Sequence, residues 1–221
     1  MIIAIDGPAG SGKSTIAQIL AQRLKDKEGM GFSYINSGKI YRAICLGCLE
    51  RNIALDNPVI KNPETIIEYA KTANIDYRDN QVFLDNKNVD DKLHTDKIDL
   101  YTAPLSAIVG VRHIVNDLVR KIANNCNAVV EGRDMTSVVF PKAEYRFYLD
   151  ASADSRARRR FDQGVSDLSF EDIREAIVKR DEIDKNKIEG SLIIAPGVEY
   201  IDTSDLTVEQ VYDKLIMIIK N

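Results

Sequence analysis

The chain has 221 residues and a mass of 24.8 kDa, with 44% hydrophobic and 29% charged residues. That balance allows a sizeable core and excludes wholly disordered, collagen-like and disulfide-scaffold chains. A formal charge of -4 and a pI near 5.4 argue against a general nucleic-acid binder, so any phosphate chemistry must be local. The longest apolar runs, Met1 to Ile5 and Leu215 to Ile219, fall far short of the roughly 20 residues that span a bilayer. Asp6 interrupts the first run before a secretory pattern develops. Cys45, Cys48 and Cys126 are too few and odd in number for a staple framework, so the expected compartment is the cytoplasm.

Ile2 to Ile5 reads as a strand ending at Asp6 and a glycine-rich turn, after which Ile16, Ile19, Leu20 and Leu24 recur at helical spacing. Phe32 to Ile35 reads as a second strand, Asn36-Ser37-Gly38 as a turn, and Ile40 to Leu49 as an amphipathic helix, so the strands are expected to be parallel. Asn62-Pro63 opens a helix to about Ala73, and Ile75 to Tyr77 pairs with Gln81 to Leu84 in a hairpin around Asp79-Asn80. Residues 74 to 100 hold seven Asp against three Lys and one Arg, and 62 to about 100 is read as a small insert. Ala128 to Val130 and Tyr145 to Leu149 are further strands, the second followed by a helix from about Ser152 to Gln163. Thr207 caps a last helix carrying Val208, Val211, Leu215 and Ile218.

The strongest signal is Gly7-Pro8-Ala9-Gly10-Ser11-Gly12-Lys13-Ser14, a match to G-x-x-x-x-G-K-[ST] between a strand and a helix. Such a loop curls its backbone so that successive N–H groups face one concavity at a helix N-terminus, where fixed partial positive charge holds a polyphosphate. Lys13 is then expected to bridge the β- and γ-phosphates of ATP, and the Ser14 hydroxyl to ligate Mg²⁺. A P-loop alone does not choose among GTPases, motor ATPases and small-molecule kinases. The nearest match to the guanine-reading N-K-x-D element, Asn186-Lys187-Ile188-Glu189, lies in a polar helical stretch, and the chain is short for a motor. A small kinase is the leading class. Arg156, Arg158, Arg159 and Arg160 crowd one helix and Arg180 follows; their bland reading is a solvated basic face, and their functional one a lid over about 155–190.

Four further stretches carry a resemblance. Asn36-Ser37-Gly38-Lys39-Ile40-Tyr41-Arg42, the run Glu131-Gly132-Arg133-Asp134-Met135-Thr136-Ser137-Val138-Val139-Phe140-Pro141, the arginine-rich helix, and Ile201-Asp202-Thr203-Ser204 before a terminal helix resemble, in this order, the bacterial-type cytidylate kinases. The resemblance runs through essentially the whole chain and includes the insert around Val82-Phe83-Leu84 and Val89. It implies an α/β fold, a P-loop parallel sheet flanked by helices with an inserted monophosphate-binding subdomain and a helical lid, in one domain over 1–221. It also implies ATP-dependent phosphorylation of CMP and dCMP.

By position, Ser37, Arg112 and Asp134 would face the cytosine and Tyr41 would pack beside the nucleotide. Arg42 and Arg133 would hold the acceptor phosphate, with Arg180, Asp184 and Lys187 lining the substrate from the lid side. Lys13, Arg133, Arg156, Arg160 and Arg180 would meet the charge of the migrating phosphoryl group, while residues Gly7 to Ser14, Thr15 and Arg159 would bind ATP. A carboxylate suits cytosine because the base offers an N4 amino donor.

The chain departs from the family pattern at Ala103, where serine is usual, at Lys187, where the lid carries a third arginine, and at Glu131, His94 and Val109. Cys45 and Cys48 have zinc-like spacing without a second ligand pair and read as core thiols; His94 and His113 are isolated. A monomer is expected, without nucleic-acid or membrane partners. The alternatives are a P-loop kinase for another nucleoside monophosphate or a small hydroxylic metabolite, and a nucleotide-binding protein without turnover.

Overall fold

The structure, a computed structural model, describes residues 1–221 apart from 29–30, 57–59, 125, 165–167 and 221. The chain divides into two compact units, one of Met1–Tyr34 with Cys126–Asn221 and one of Ile35–Asn125. The 62–100 segment falls within the second, and residues 165–167 of the 155–190 segment lie outside the described residues.

The first unit is built on a five-stranded parallel sheet. Its strands are β1 (Ile2–Asp6), β2 (Phe32–Asn36), β6 (Asn127–Gly132), β7 (Tyr145–Asp150) and β8 (Glu199–Asp202), in the order β2-β6-β1-β7-β8. β1 runs parallel to both β6 and β7, and β7 to β8, so the register sets Asp6 beside Gly132 and Tyr148, and Asp150 beside Asp202. The carboxyl ends of the strands, and the loops that leave them, therefore share one edge, the place where open α/β sheets bind ligands. Burial on both faces explains the short, nearly continuous apolar runs.

Helix α1 (Lys13–Glu28) lays Ile16, Ala17, Leu20 and Leu24 on Ile3, Ile5 and Val129, and α8 (Val208–Lys220) adds Val211, Tyr212 and Leu215 to the same core. Thr207 caps α8 as expected: its hydroxyl accepts from Gln210 N at 3.3 Å while the Gln210 side chain accepts from Thr207 N at 2.9 Å. Helices α6 (Ala153–Asp162) and α7 (Phe170–Lys185) pair through Ala157, Ile173 and Ile177.

The second unit opens with α2 (Ser37–Glu50), and here the structure corrects the reading of Asn36-Ser37-Gly38 as a turn. The helix starts directly from β2, with the Asn36 side chain accepting from Lys39 N at 3.2 Å. Gly38 is tolerated because it lies in the first turn, whose N–H groups lack intrahelical partners in any case. Helix α3 (Pro63–Thr72) starts at its proline, as expected. The hairpin of β3 (Ile75–Arg78) and β4 (Gln81–Leu84) turns on Asp79 and Asn80, both left-handed at φ of 53° and 63°. A second such turn at Asp85-Asn86 adds a third strand, β5 (Lys87–Asn88), beyond the expected pair. Helices α4 (Asp96–Leu105) and α5 (Val109–Ala123) complete the unit.

Candidate active site

The Gly7–Ser14 loop joins β1 to α1. Gly7, at φ of 149°, passes so close to β7 that a Cβ there would collide with the Leu149 carbonyl, and a Cβ at Gly10 would stand 3.0 Å from that of Arg156. Lys13 is buried, and its ammonium donates to the Pro8 carbonyl at 2.7 Å. Burial first, and the Arg133 charge second, pull it down to about 7. The Ser11 hydroxyl is also buried, without a hydrogen-bond partner. A buried lysine hydrogen-bonded to a neutral carbonyl, in a loop with an unsatisfied buried hydroxyl, fits a polyanion. Ser14 and Thr15 are exposed on the first turn of α1, where a hydroxyl can reach a phosphate-bound cation.

Asp6 closes β1 and is fully buried. Its carboxylate accepts from Met135 N at 2.8 Å, Thr136 N at 2.7 Å and the Thr136 hydroxyl at 2.6 Å, fixing a five-residue π-type turn over Met135–Val139. Burial pushes the Asp6 carboxyl up to about 6 against the pull of these bonds. The turn follows Arg133 and the buried Asp134, so a residue that sequence reading noted only as the end of a strand supports both. An acid closing a buried strand immediately before the glycine loop was the available signal.

The arginine cluster divides. Arg156 is buried and fully committed: Nε donates to the Ala151 carbonyl at 2.9 Å, Nη1 to the Ala9 carbonyl at 3.1 Å, and Nη2 lies 2.7 Å from Asp181. Arg159 donates to the Thr203 hydroxyl and carbonyl, while that hydroxyl meets the Ser11 and Asp150 carbonyls at 3.1 and 2.8 Å. Thr203 thus ties the end of β8 to the loop, a link that sequence reading missed. Arg160 is partly buried farther along α6. On α7, Asp184 gathers three cations, with Arg133 Nε at 2.8 Å, Lys187 Nζ at 2.6 Å and Arg180 Nε at 4.0 Å. Burial works against its charge, yet Arg133, Lys187 and Arg180 outweigh that and hold the carboxyl well below the usual range.

In the second unit, Ser37 and Tyr41 are buried on the first turns of α2. Arg42 pairs with Asp99 of α4 at 2.8 Å. Arg112 of α5 is buried, donates to the Ser106 carbonyl at 2.8 Å and lies over the Tyr41 ring at 5.9 Å. Ser37, Tyr41, Arg42 and Arg112 are therefore gathered within this unit, and Lys13, Arg133, Asp134, Arg156, Arg159, Arg160, Arg180, Asp184 and Lys187 within the other. Ala103 is buried on α4. Cys45 and Cys48 are buried in α2, and burial raises both thiols to about 12, in keeping with core packing. No metal-holding cluster of His, Cys, Asp and Glu occurs among the described residues.

A glycine loop between a parallel strand and a helix, with a buried lysine at the helix N-terminus, is the P-loop arrangement. The family model described as cytidylate kinase matches residues 3–221. Cytidylate kinase of Borrelia duttonii is 38% identical over 98% of this chain and 96% of its own, and that of Caldanaerobacter subterraneus 40% over 96% and 92%. The Clostridioides difficile cytidylate kinase is 33% identical over 98% and 96%. The chain belongs to the cytidylate kinase family. Among solved structures, an uncharacterized protein of Eubacterium ventriosum (TM-score 0.53, 13% identity) and shikimate kinase of Bacteroides thetaiotaomicron (TM-score 0.50, 11% identity) share its fold, each over 100% of this chain and 99% of theirs.

Proposed function

We propose that this enzyme transfers the γ-phosphoryl group of ATP to CMP and dCMP, giving CDP and dCDP. The observation that carries the reading is the buried Lys13 ammonium, held in the glycine loop of a chain whose family match is nearly complete. Ser14 would hold Mg²⁺ together with the phosphates, and the ion would supply neutralisation of phosphate charge. Residues Gly7 to Thr15 cradle ATP, with Arg159 beside them. Lys13 follows the migrating charge, an interaction that strengthens in the transition state and so raises kcat. Arg133, Arg156, Arg160 and Arg180 share that charge, and Arg156 also keeps α6 against the loop. Arg42 and Arg133 grip the acceptor phosphate; Arg180, Asp184 and Lys187 line the same substrate.

Ser37, Arg112 and Asp134 read the base, with Tyr41 packed beside it. An ionised Asp134 accepts from the cytosine amino group, whereas uracil would face it acceptor to acceptor and leave buried groups unpaired, at about 1 to 3 kcal/mol. In this reading 62–100 belongs to the monophosphate-binding part and 155–190 to a lid on a single kinase domain. The enzyme acts as a monomer in the cytoplasm; no helix among the described residues is long and apolar enough to cross a membrane.

The test is ADP release with ATP, Mg²⁺ and each of CMP, dCMP, UMP, AMP and GMP. CMP and dCMP should lead, with CMP at least roughly tenfold above UMP in kcat/KM, the equivalent of about 1.4 kcal/mol. A purine monophosphate as best acceptor would overturn the reading, as would CMP binding without ADP formation.

A further inference from the structure

Arg42 directs two donors at a single oxygen, with Nε 3.2 Å and Nη2 2.8 Å from Asp99 Oδ1. The side chains are only 11% and 15% exposed, so the pair is unlike the solvated surface pairs that contribute little. The remaining nitrogen, Nη1, lies against the first turn of α2, where a Cβ on Gly38 would stand 3.1 Å from it. The guanidinium is thus pinned along its Nε–Nη2 edge, and its end is left aimed along the helix start that also carries Ser37. The His94 imidazole nearby is kept below its ordinary value by desolvation and then by the Arg42 charge, so at neutral pH it does not offset Asp99. Lys39 is matched by its own carboxylate, Asp90, at 2.7 Å.

We propose that Asp99 is a positioning residue that orients Arg42 for the acceptor phosphate and, through its charge, sets how tightly that phosphate is held. The proposal rests on the reading of Arg42 given above. A guanidinium has two forks, and a carboxylate on the side edge leaves the end-on pair of N–H groups for phosphate oxygens. The same carboxylate then stands close to the incoming phosphate and repels it, because both anions share one cation in a poorly solvated place. Asp99 never touches the nucleotide in this scheme. It limits the grip on substrate and product phosphates alike, which favours release after transfer. A plain brace between α2 and α4 would behave differently, since loosening it would disturb Ser37, Tyr41 and the nucleoside pocket together with the phosphate.

Calorimetric binding of CMP and of cytidine, which lacks the phosphate, separates the two roles. Asp99→Asn keeps an oxygen acceptor in place and removes the charge. Its Kd for CMP should fall by about 3- to 10-fold while that for cytidine stays within about twofold. Asp99→Ser, which removes the charge with a smaller acceptor, should shift the ratio the same way by a lesser amount, and serves where the asparagine variant does not fold. Equal shifts for CMP and cytidine, or an unchanged or weaker hold on CMP in a folded variant, would overturn the role of Asp99 alone. A wild-type enzyme that binds CMP no better than cytidine would instead overturn the assignment of Arg42 on which the proposal stands.

Discussion

Removing the charge of Asp184 should strand the cations gathered around it. Arg133 and Lys187 touch its two carboxylate oxygens at 2.8 and 2.6 Å, and the Asp184 and Lys187 side chains are each 2% exposed. At an effective dielectric near 20, charges about 4 Å apart attract by about 4 kcal/mol, and the desolvation of the buried groups takes back most of that. When one partner is deleted the desolvation remains without the attraction, and buried pairs broken in this way lose about 3 to 5 kcal/mol. Asp184→Asn keeps the shape and one acceptor, so the lower end applies. About 3 kcal/mol in a chain of this length lowers the thermal midpoint by about 6 to 12 °C.

Circular dichroism melts at pH 7 without nucleotide give the comparison. The double variant with Lys187→Met should recover part of the loss, because it removes one of the stranded charges. The pH dependence has a defined sign. A carboxyl held below its unfolded value of 3.8 stabilises the fold above that value and loses the contribution as pH falls below it, so the variant should converge with the wild type in acid. A midpoint within about 2 °C of wild type at pH 7, together with an additive cycle, would refute the reasoning, since the cations would then be satisfied without this carboxylate.

Lys13→Ala should lower kcat by at least about a hundredfold with a smaller loss of ATP affinity, read by steady-state kinetics and direct binding. Because burial and Arg133 pull the wild-type ammonium down to about 7, ATP binding at about pH 8 should draw in nearly one proton, measured as a buffer-dependent binding enthalpy that the alanine variant lacks. Arg156→Lys should cost about 2 kcal/mol in urea unfolding, because one ammonium cannot span the Ala9 and Ala151 carbonyls and Asp181 as the guanidinium does.

The order of strand, glycine loop and helix is legible because each part is local: an apolar run, a run of glycines, a 3.6-residue repeat. Capping is equally legible at Thr207, where donor and acceptor lie three residues apart. Helix α5 escapes notice because Ile108 offers no capping side chain and its buried stripe of Val111, Val115 and Val119 is β-branched, a composition that favours strands. Helix α7 is legible only as part of an expected helical lid, because only Ile173 and Ile177 mark its apolar face in a highly charged sequence. The helical reading of 186–189 is corrected, since the helix ends at Lys185. The motif residues at the site are legible one by one, whereas their partners are not. Arg156 meets a carbonyl 147 positions away and Arg133 a carboxylate 51 positions away, and no spacing rule reaches so far. The sequence shows an arginine-rich helix; only the fold separates Arg156, which closes three contacts, from Arg180, which lies at the edge of a carboxylate.

The buried acid at the end of β1 bears on how the loops around it are spaced. An Asp6 carboxyl raised to about 6 is one whose ionised form the folded protein tolerates at a net cost relative to water, and yet it anchors the turn that carries Arg133 and Asp134 while its own strand leads into the phosphate loop. Its three hydrogen bonds to the turn offset part of that cost. It behaves as a spacer of fixed length, a short polar strut that sets how far the donor-side loop stands from the residues assigned to the acceptor. Replacing Asp6 with an apolar residue would leave the Met135 and Thr136 N–H groups and the Thr136 hydroxyl buried without their acceptor, so stability and the spacing of the two loops would be lost together.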